Sequence, residues 1–171
     1  MNHPPACSQP AATPLAGVVL PSAGRTGVEP DRAAERRTGR CQCGRIAYEV
    51  LGHPDDPHLC SCTHCVRISG SPAVLWVGFP RSTLTWTNPE GLPSWYPTWP
   101  TLHRGFCPGC GTHLISVADD SDLIMVTAFS LDDRGGTDPV GHSYRHESVP
   151  WMTTTLADAP SAPQVTSGSA V

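Results

Sequence analysis

The chain has 171 residues, a formal net charge of −4 at pH 7 and 11 basic residues, all of them arginine. This length predicts one domain with a modest core, and the 19 prolines and 16 glycines argue against long helices. The negative charge without a basic run argues against a nucleic-acid partner, and no apolar run approaches the roughly 18 residues that span a membrane.

Residues 1–38 are rich in Pro, Ala, Gly and Thr without a hydrophobic period, which predicts a disordered leader. Cys7 lies there alone, and we assign it to no metal site. The start has neither the basic residues nor the apolar stretch of a secretory signal, which favours a cytoplasmic location. We predict the folded domain at 39–157 and a second disordered tail at 158–171. The sequence does not indicate an oligomeric state.

Short apolar or alternating segments predict an all-β domain whose turns are rich in Gly and Pro. The predicted strands lie at 45–51, 73–79, 83–87, 113–117, 122–129 and 142–146. Residues 52–57 predict a loop, and residues 66–72 leave room for one helical turn. The prolines of 95–100 confine that segment to a loop or a sheet edge.

Two cysteine pairs lie at the ends of the predicted domain core, Cys41 with Cys43 and Cys107 with Cys110. In a reducing compartment, C-x-C and C-x-x-C spacings favour metal ligands over disulfides. Four thiolates form a closed zinc site, which here would clip a long loop shut. An electron-transfer iron site would use the same ligands, and ligand type alone does not separate the two metals.

A third cluster, Cys60-Ser-Cys62-Thr-His-Cys65, holds three cysteines within six residues. Three thiolates leave one position of a tetrahedral zinc for water, substrate or another ligand, and such a zinc acts as a Lewis acid. Two alternatives are a closed structural site and a metal-free set in which Cys60 or Cys62 is redox-active. The nitrogens that could close the site belong to His64, which is strained between two ligands, or to His58, His103, His142 and His146.

In order and spacing, these motifs resemble the glutathione-dependent formaldehyde-activating enzyme family, which shares its domain with centromere protein V. The resemblance covers residues 39–157. The matching positions are G-x-C-x-C-G followed by I-x-Y (Gly39 to Tyr48), C-x-C-x-x-C followed by Arg67 and Gly70, R-x-F-C-x-x-C-G-x-x-L (Arg104 to Leu114), Leu131-Asp132, His142, Tyr144 and Trp151.

The resemblance implies an Mss4-like (β-tent) fold with two zinc ions, one structural and one of catalytic type. The structural ion would be held by Cys41, Cys43, Cys107 and Cys110, and the catalytic-type ion by Cys60, Cys62 and Cys65. The implied activity is that of a carbon–sulfur lyase that joins glutathione and formaldehyde into S-(hydroxymethyl)glutathione.

The predicted substrate contacts are Tyr96, Arg104 and Arg67, although either arginine could instead balance the charge of the zinc sites. Tyr96 is followed by Pro97-Thr98-Trp99, where the family often has paired serines, so this wall of the pocket is bulkier and less polar. The alternative function is a non-catalytic zinc-binding scaffold or interaction module, which predicts a closed central site.

Overall fold

The structure of the protein, a computed structural model, describes residues 35–157. Cys7, the predicted tail at 158–171 and most of the predicted leader lie outside the described residues. The strands are β1 (Arg36–Arg40), β2 (Ala47–Leu51), β3 (Asp55–Cys60), β4 (Val74–Pro80), β5 (Thr85–Trp86), β6 (Ser94–Trp99), β7 (Leu102–Phe106), β8 (His113–Ala118), β9 (Leu123–Thr127) and β10 (Gly141–Ser143). The helices are α1 (Thr63–Ser69) and the 3-10 turns Arg81–Thr83, Ala128–Ser130 and Arg145–Glu147.

The strands form two sheets, which confirms the predicted all-β class. A three-stranded sheet has the order β1-β2-β5, and a seven-stranded sheet has the order β10-β3-β4-β9-β8-β7-β6. Neighbouring strands are antiparallel except β10, which pairs with β3 in parallel. No helix within residues 35–157 has the length and apolarity that a bilayer crossing requires.

The main hydrophobic core lies between the two sheets. Tyr48 and Val50 of β2 point inward from the small sheet, and Val77 and Phe79 of β4 do so from the large sheet. All four side chains are at most 1% exposed. The hydroxyl of Tyr48 is buried here and lies 2.7 Å from the Ser130 hydroxyl.

The opposite face of the large sheet carries a second, smaller cluster. Because successive side chains of a strand alternate between faces, Val74 and Trp76 of β4 point away from the main core, as does Met125 of β9. These residues pack against the three cysteines of the central motif. The pleat of the large sheet therefore separates the hydrophobic core from the central cysteine cluster.

The fold begins earlier than the predicted boundary at residue 39. Strand β1 starts at Arg36 and pairs with β2 along its whole length. The Arg37 side chain is only 5% exposed, and its Nη1 donates hydrogen bonds to the carbonyl oxygens of Gly135 at 2.7 Å and Asp133 at 3.3 Å. These long-range contacts order residues whose composition alone predicts a leader.

Strand β3 occupies part of the segment that was predicted as a loop. Its first residues, Asp55-Asp56-Pro57, are turn formers, and the register with β4 shifts between Asp55 and His58. Asp56 has a φ of 42°, a left-handed conformation that suits such an irregularity. Pairing with β4 on one side and β10 on the other makes this segment a strand in spite of its composition.

Helix α1 begins three residues before the predicted helical turn. Its N-cap is Cys62, whose Sγ accepts a hydrogen bond from the Cys65 backbone N–H at 3.4 Å. The helix ends at Gly70, which has a φ of 65° and donates its N–H to the Val66 carbonyl. A cysteine thiol thus does what Ser, Thr or Asp does at most helix starts.

The proline-rich segment around residues 95–100 lies at a sheet edge, as predicted. It forms β6, the last strand of the large sheet, which pairs only with β7. Pro97 can sit in this strand because an edge strand leaves one side of its backbone unpaired.

Candidate metal centres

The four cysteines of the outer pairs come together in one cluster, which we call the outer cluster: Cys41, Cys43, Cys107 and Cys110. Their sulfur atoms all lie within 4.8 Å of one another. The Cys43 sulfur is 3.5 Å from that of Cys41 and 3.8 Å from that of Cys107. Disulfide bonds are about 2.05 Å long, and the seven cysteines of the described residues are all free thiols.

Two similar turns present these thiols. Cys41 and Cys43 follow β1, and Cys107 and Cys110 follow β7, so the outer cluster joins the end of one strand from each sheet. Both turns end in a glycine with a φ of 74°, Gly44 and Gly111, a left-handed conformation that glycine adopts without steric cost.

Hydrogen bonds in the outer cluster favour the thiolates of Cys41 and Cys110, whereas burial raises the pKa of Cys107 to about 11. The Ile46 N–H donates to the Cys41 sulfur at 3.3 Å. The Thr112 hydroxyl lies 3.1 Å from the Cys110 sulfur and, with the Thr112 backbone, lowers the pKa of that thiol to about 5. Thr112 also accepts a hydrogen bond from the Gln42 N–H, which ties the two turns together.

The outer cluster fits a tetrahedral four-thiolate metal site. With zinc–sulfur bonds of about 2.3 Å, the sulfurs of such a site lie about 3.8 Å apart. The distances of 3.5 and 3.8 Å match this spacing. The outer cluster could therefore hold a metal ion, and its ligand set is consistent with zinc.

The central cluster consists of Cys60, Cys62 and Cys65, and their sulfurs also lie within 4.8 Å of one another. Cys60 is the last residue of β3, Cys62 is the N-cap of α1, and Cys65 lies in its first turn. All three are at most 7% exposed. This donor set likewise fits a metal ion that prefers thiolates.

Cys60 and Cys65 differ in acidity. A hydrogen bond with Cys60 and the positive charge of Arg104 lower the pKa of Cys65 to about 5, against the opposing effect of burial. The same hydrogen bond, together with burial, raises the pKa of Cys60. The hydrogen bond between these two thiols therefore favours the thiolate at Cys65 over the one at Cys60.

No histidine, aspartate or glutamate among residues 35–157 joins the central cluster as a fourth ligand. His64, although it lies between two cysteines in sequence, packs against Trp99 with 4.3 Å between the ring centroids and the ring planes inclined at 55°. The Nε2 of His142 lies 2.8 Å from the Ser61 hydroxyl. Because that hydroxyl donates to the Pro72 carbonyl at 3.0 Å, the imidazole nitrogen is the donor to Ser61.

The remaining three histidines that could have closed the site lie beside carboxylates. The nitrogen–oxygen distances are 3.0 Å for His58 and Asp56, 3.4 Å for His103 and Asp119, and 3.7 Å for His146 and Glu147. The described part of the chain therefore offers three candidate metal ligands in the central cluster and four in the outer cluster.

A cavity of about 260 Å³ opens beside the central cluster. Its wall contains the three thiols and the side chains of His58, Trp76, Trp99, Leu102, Arg104, Ser116, Met125, Ser143 and Tyr144. Trp99 and Tyr144 are 42% and 48% exposed and form its rim. Tyr144 has a φ of 56°, which is uncommon for a bulky residue and is a kind of strain found at functional sites.

Of the three predicted substrate contacts, the structure places Arg104 in this wall. Its side chain is 5% exposed and its Nη2 lies 3.6 Å from the Cys65 sulfur. Tyr96 is opposite Arg104 in the β6–β7 pair but is 57% exposed and does not line the cavity. Arg67 is exposed on α1 and lies outside the lining as well.

The sequence analysis did not single out Trp76 or Tyr144 as site residues. Trp76 could have been found from the alternation of β4, which puts it on the face opposite Val77. Tyr144 reaches the cavity through long-range contacts: β10 pairs with β3, and the Ser143 carbonyl accepts from the Ser61 N–H at 3.1 Å. No local sequence signal reports that pairing.

Comparison with known proteins is in keeping with this geometry. Residues 36–147 match the family described as glutathione-dependent formaldehyde-activating enzyme. The fold is similar to the crystal structure of a Rhodobacter sphaeroides protein, a structural genomics target, with a TM-score of 0.50, 21% sequence identity, and coverage of 62% of this chain and 99% of that chain. At this identity the likeness shows a shared fold. No curated protein sequence matches the chain.

Proposed function

The chain belongs to the glutathione-dependent formaldehyde-activating enzyme family, and we propose that its central cavity joins a thiol such as glutathione to a small electrophile such as formaldehyde. In this proposal Cys60, Cys62 and Cys65 hold a catalytic-type zinc ion, and the outer cluster holds a structural one. The reaction is of the carbon–sulfur lyase type. The observation that carries the proposal is the contrast between four thiols in the outer cluster and three, beside a cavity, in the central cluster.

A bound zinc ion would supply Lewis acidity in this cavity. In the addition, the sulfur forms a bond to the carbonyl carbon, the carbon–oxygen π bond breaks, and the thiol proton ends on the oxygen. Proximity contributes much of the rate when two small reactants are held together. A cavity of about 260 Å³ suits an aldehyde and the cysteinyl part of a thiol, with the rest of the thiol substrate crossing the rim at Trp99 and Tyr144.

Arg104 is the predicted substrate-contacting residue whose position supports the proposal. It lies within the cavity wall, so it can meet a negatively charged sulfur or oxygen there. Tyr96 and Arg67 lie outside the lining, and we propose for them only contact with parts of a substrate that extend beyond the rim.

The test is the exchange rate between free glutathione and S-(hydroxymethyl)glutathione at equilibrium with formaldehyde, measured by exchange NMR. The zinc-loaded protein should exceed the spontaneous rate, and Cys62→Ser should remove the excess. Cys7→Ser is the matched control, because it removes one thiol and leaves all seven described cysteines in place. A fully metal-loaded protein that accelerates the reaction with none of several thiols would refute the enzymatic proposal and favour a zinc-binding scaffold.

A further inference from the structure

Arg104 is a buried cation at the centre of the cavity wall. It lies on β7, opposite Ser116 of β8, and its side chain is 5% exposed. Its guanidinium carbon is 4.9 Å from the centroid of the Trp76 ring, and its Nη2 is 3.6 Å from the Cys65 sulfur. A buried charge is costly unless it is paired, and the Cys65 sulfur, which accepts from Nη2, is a partner for it within the site.

The guanidinium has unused donor capacity. Its Nε is buried and has no hydrogen-bond partner within the described structure. The cation–π contact with Trp76 holds the guanidinium plane but satisfies no N–H group. The positive charge of this guanidinium, which lines the cavity beside the Cys65 sulfur, favours a ligand with negative charge.

The charges around the cavity leave Arg104 as its single permanent cation. Among the described residues that line it, none is a carboxylate, and the other basic side chain, His58, lies beside Asp56. A divalent metal with three thiolates carries a net charge of −1, which Arg104 brings to zero. A neutral fourth ligand would leave the site neutral. An anionic fourth ligand would make it −1 with Arg104 and −2 without it.

We propose that Arg104 is a positioning residue that lowers the cost of binding an anionic fourth ligand at the central site, with thiolates as the ligand class. This proposal rests on the proposed function only because it requires a metal ion on the central cluster. It adds that the thiol substrate binds there as a thiolate. Arg104 thereby acts through charge on whichever ligand completes the site. If Arg104 instead recognised substrate carboxylates far from the sulfur, its charge would not affect the binding of small anionic fourth ligands.

The test uses ligand binding and no turnover. The protein is reconstituted with Co²⁺, whose visible absorption reports a change of ligand, and is titrated with 2-mercaptoethanol, which binds as a thiolate, and with neutral imidazole. The proteins compared are wild type, Arg104→Gln, the charge-conserving Arg104→Lys and the control Arg81→Gln, which changes an arginine away from the cavity.

We expect Arg104→Gln to weaken mercaptoethanol binding on the order of a hundredfold, the effect of one charge near a ligand at an effective dielectric constant of about 20. Imidazole binding should stay within about threefold, since a neutral ligand adds no charge. Arg104→Lys should restore most of the mercaptoethanol affinity, and Arg81→Gln should match wild type.

Equal losses for both ligands, or no loss for mercaptoethanol, would overturn the inference. If Arg104→Gln does not take up cobalt at the central site, Arg104→Lys decides, because a mercaptoethanol affinity about a hundredfold below that of wild type in this charge-conserving variant would also contradict the inference. If no protein holds cobalt at the central cluster, the inference and the proposed function both fail. If cobalt binds and Arg104→Gln weakens mercaptoethanol binding but not imidazole binding, while the protein does not accelerate adduct formation, the proposed reaction fails and the inference stands.

Discussion

The two clusters close chain segments of very different length, and this difference predicts unequal effects on stability. The outer cluster joins Cys43 to Cys107, which are 64 residues apart. The central cluster closes only the segment from Cys60 to Cys65. Because loop-closure entropy grows as three halves of RT times the logarithm of loop length, an ion on the outer cluster should contribute about 2 kcal/mol more to the free energy of unfolding than an ion of similar intrinsic affinity on the central cluster.

The matched perturbations are Cys43→Ser and Cys62→Ser. Cys43 is exposed, so its replacement removes a ligand without disturbing the core. At position 62 a serine can still cap α1 as the cysteine thiol does, so this variant removes the ligand and keeps the helix start. Each variant should retain one of two metal ions, which a metal count on the purified protein establishes.

The assay is thermal and urea unfolding of both variants at saturating zinc. A difference of about 2 kcal/mol corresponds to a melting temperature about 8 °C lower for Cys43→Ser than for Cys62→Ser in a folded region of this size. The outer cluster also connects β1 of the small sheet to β7 of the large sheet, so its loss loosens the contact across the main core. Equal melting temperatures for two variants that have each lost one ion would refute the assignment of the outer cluster as the structural clip.

Three further predictions concern the residues around the core and the sites. Gly39→Ala would drive a Cβ into the buried ring of Tyr48, so it should lower the free energy of unfolding, measured in urea, by about 2 kcal/mol. The control is Gly141→Ala, which should be nearly neutral because its Cβ would lie 3.7 Å from its nearest neighbour. Burial and, second, the Arg104 charge lower the pKa of His113 to about 4. As the pH falls from 6.5 to 4, the unfolded chain therefore binds more protons than the folded one, and the free energy of unfolding falls by up to about 3 kcal/mol. His113→Gln should reduce this pH dependence, measured as urea midpoints at several pH values. Ser61→Ala removes the hydroxyl that links the segment between Cys60 and Cys62 to His142 of β10. It should weaken zinc binding at the central cluster about tenfold, measured in competition with a chromophoric chelator. An unchanged zinc affinity would contradict a positioning role for Ser61.

The central cluster and each of the two outer cysteine pairs could be predicted from the sequence because the geometry within each is local. Two thiols separated by one or two residues around a tight turn point to the same side, and the spacing alone reports this. Strand β4 could also be predicted from a local signal, because a continuous apolar run indicates a strand that is buried on both faces. The edge position of β6 followed from Pro97, whose effect on backbone pairing is also local.

The parts that could not be predicted depend on contacts far apart in sequence. Strand β3 starts with turn-forming residues and exists because β4 and β10 pair with it on both sides. The earlier start of β1 depends on Arg37, whose guanidinium binds carbonyl oxygens almost a hundred residues away. The histidines near the central cluster were open alternatives for a fourth ligand because sequence distance does not reveal that His64 packs against Trp99 or that His142 donates to Ser61.

The position of the two clusters relative to the large sheet explains how one small domain can combine a closed and an open donor set. The outer cluster lies at the ends of β1 and β7, which belong to different sheets, so a metal ion there would hold the sheets together around the main core without help from the central cluster. The central cluster lies on the other face of the large sheet and is built from β3 and α1. Its loop is therefore not required to complete a four-ligand clip, and three thiols beside a cavity are compatible with a stable fold. If the central cluster proved to be the main determinant of stability, this separation of roles across the pleat, and with it the argument for an accessible coordination position, would fail.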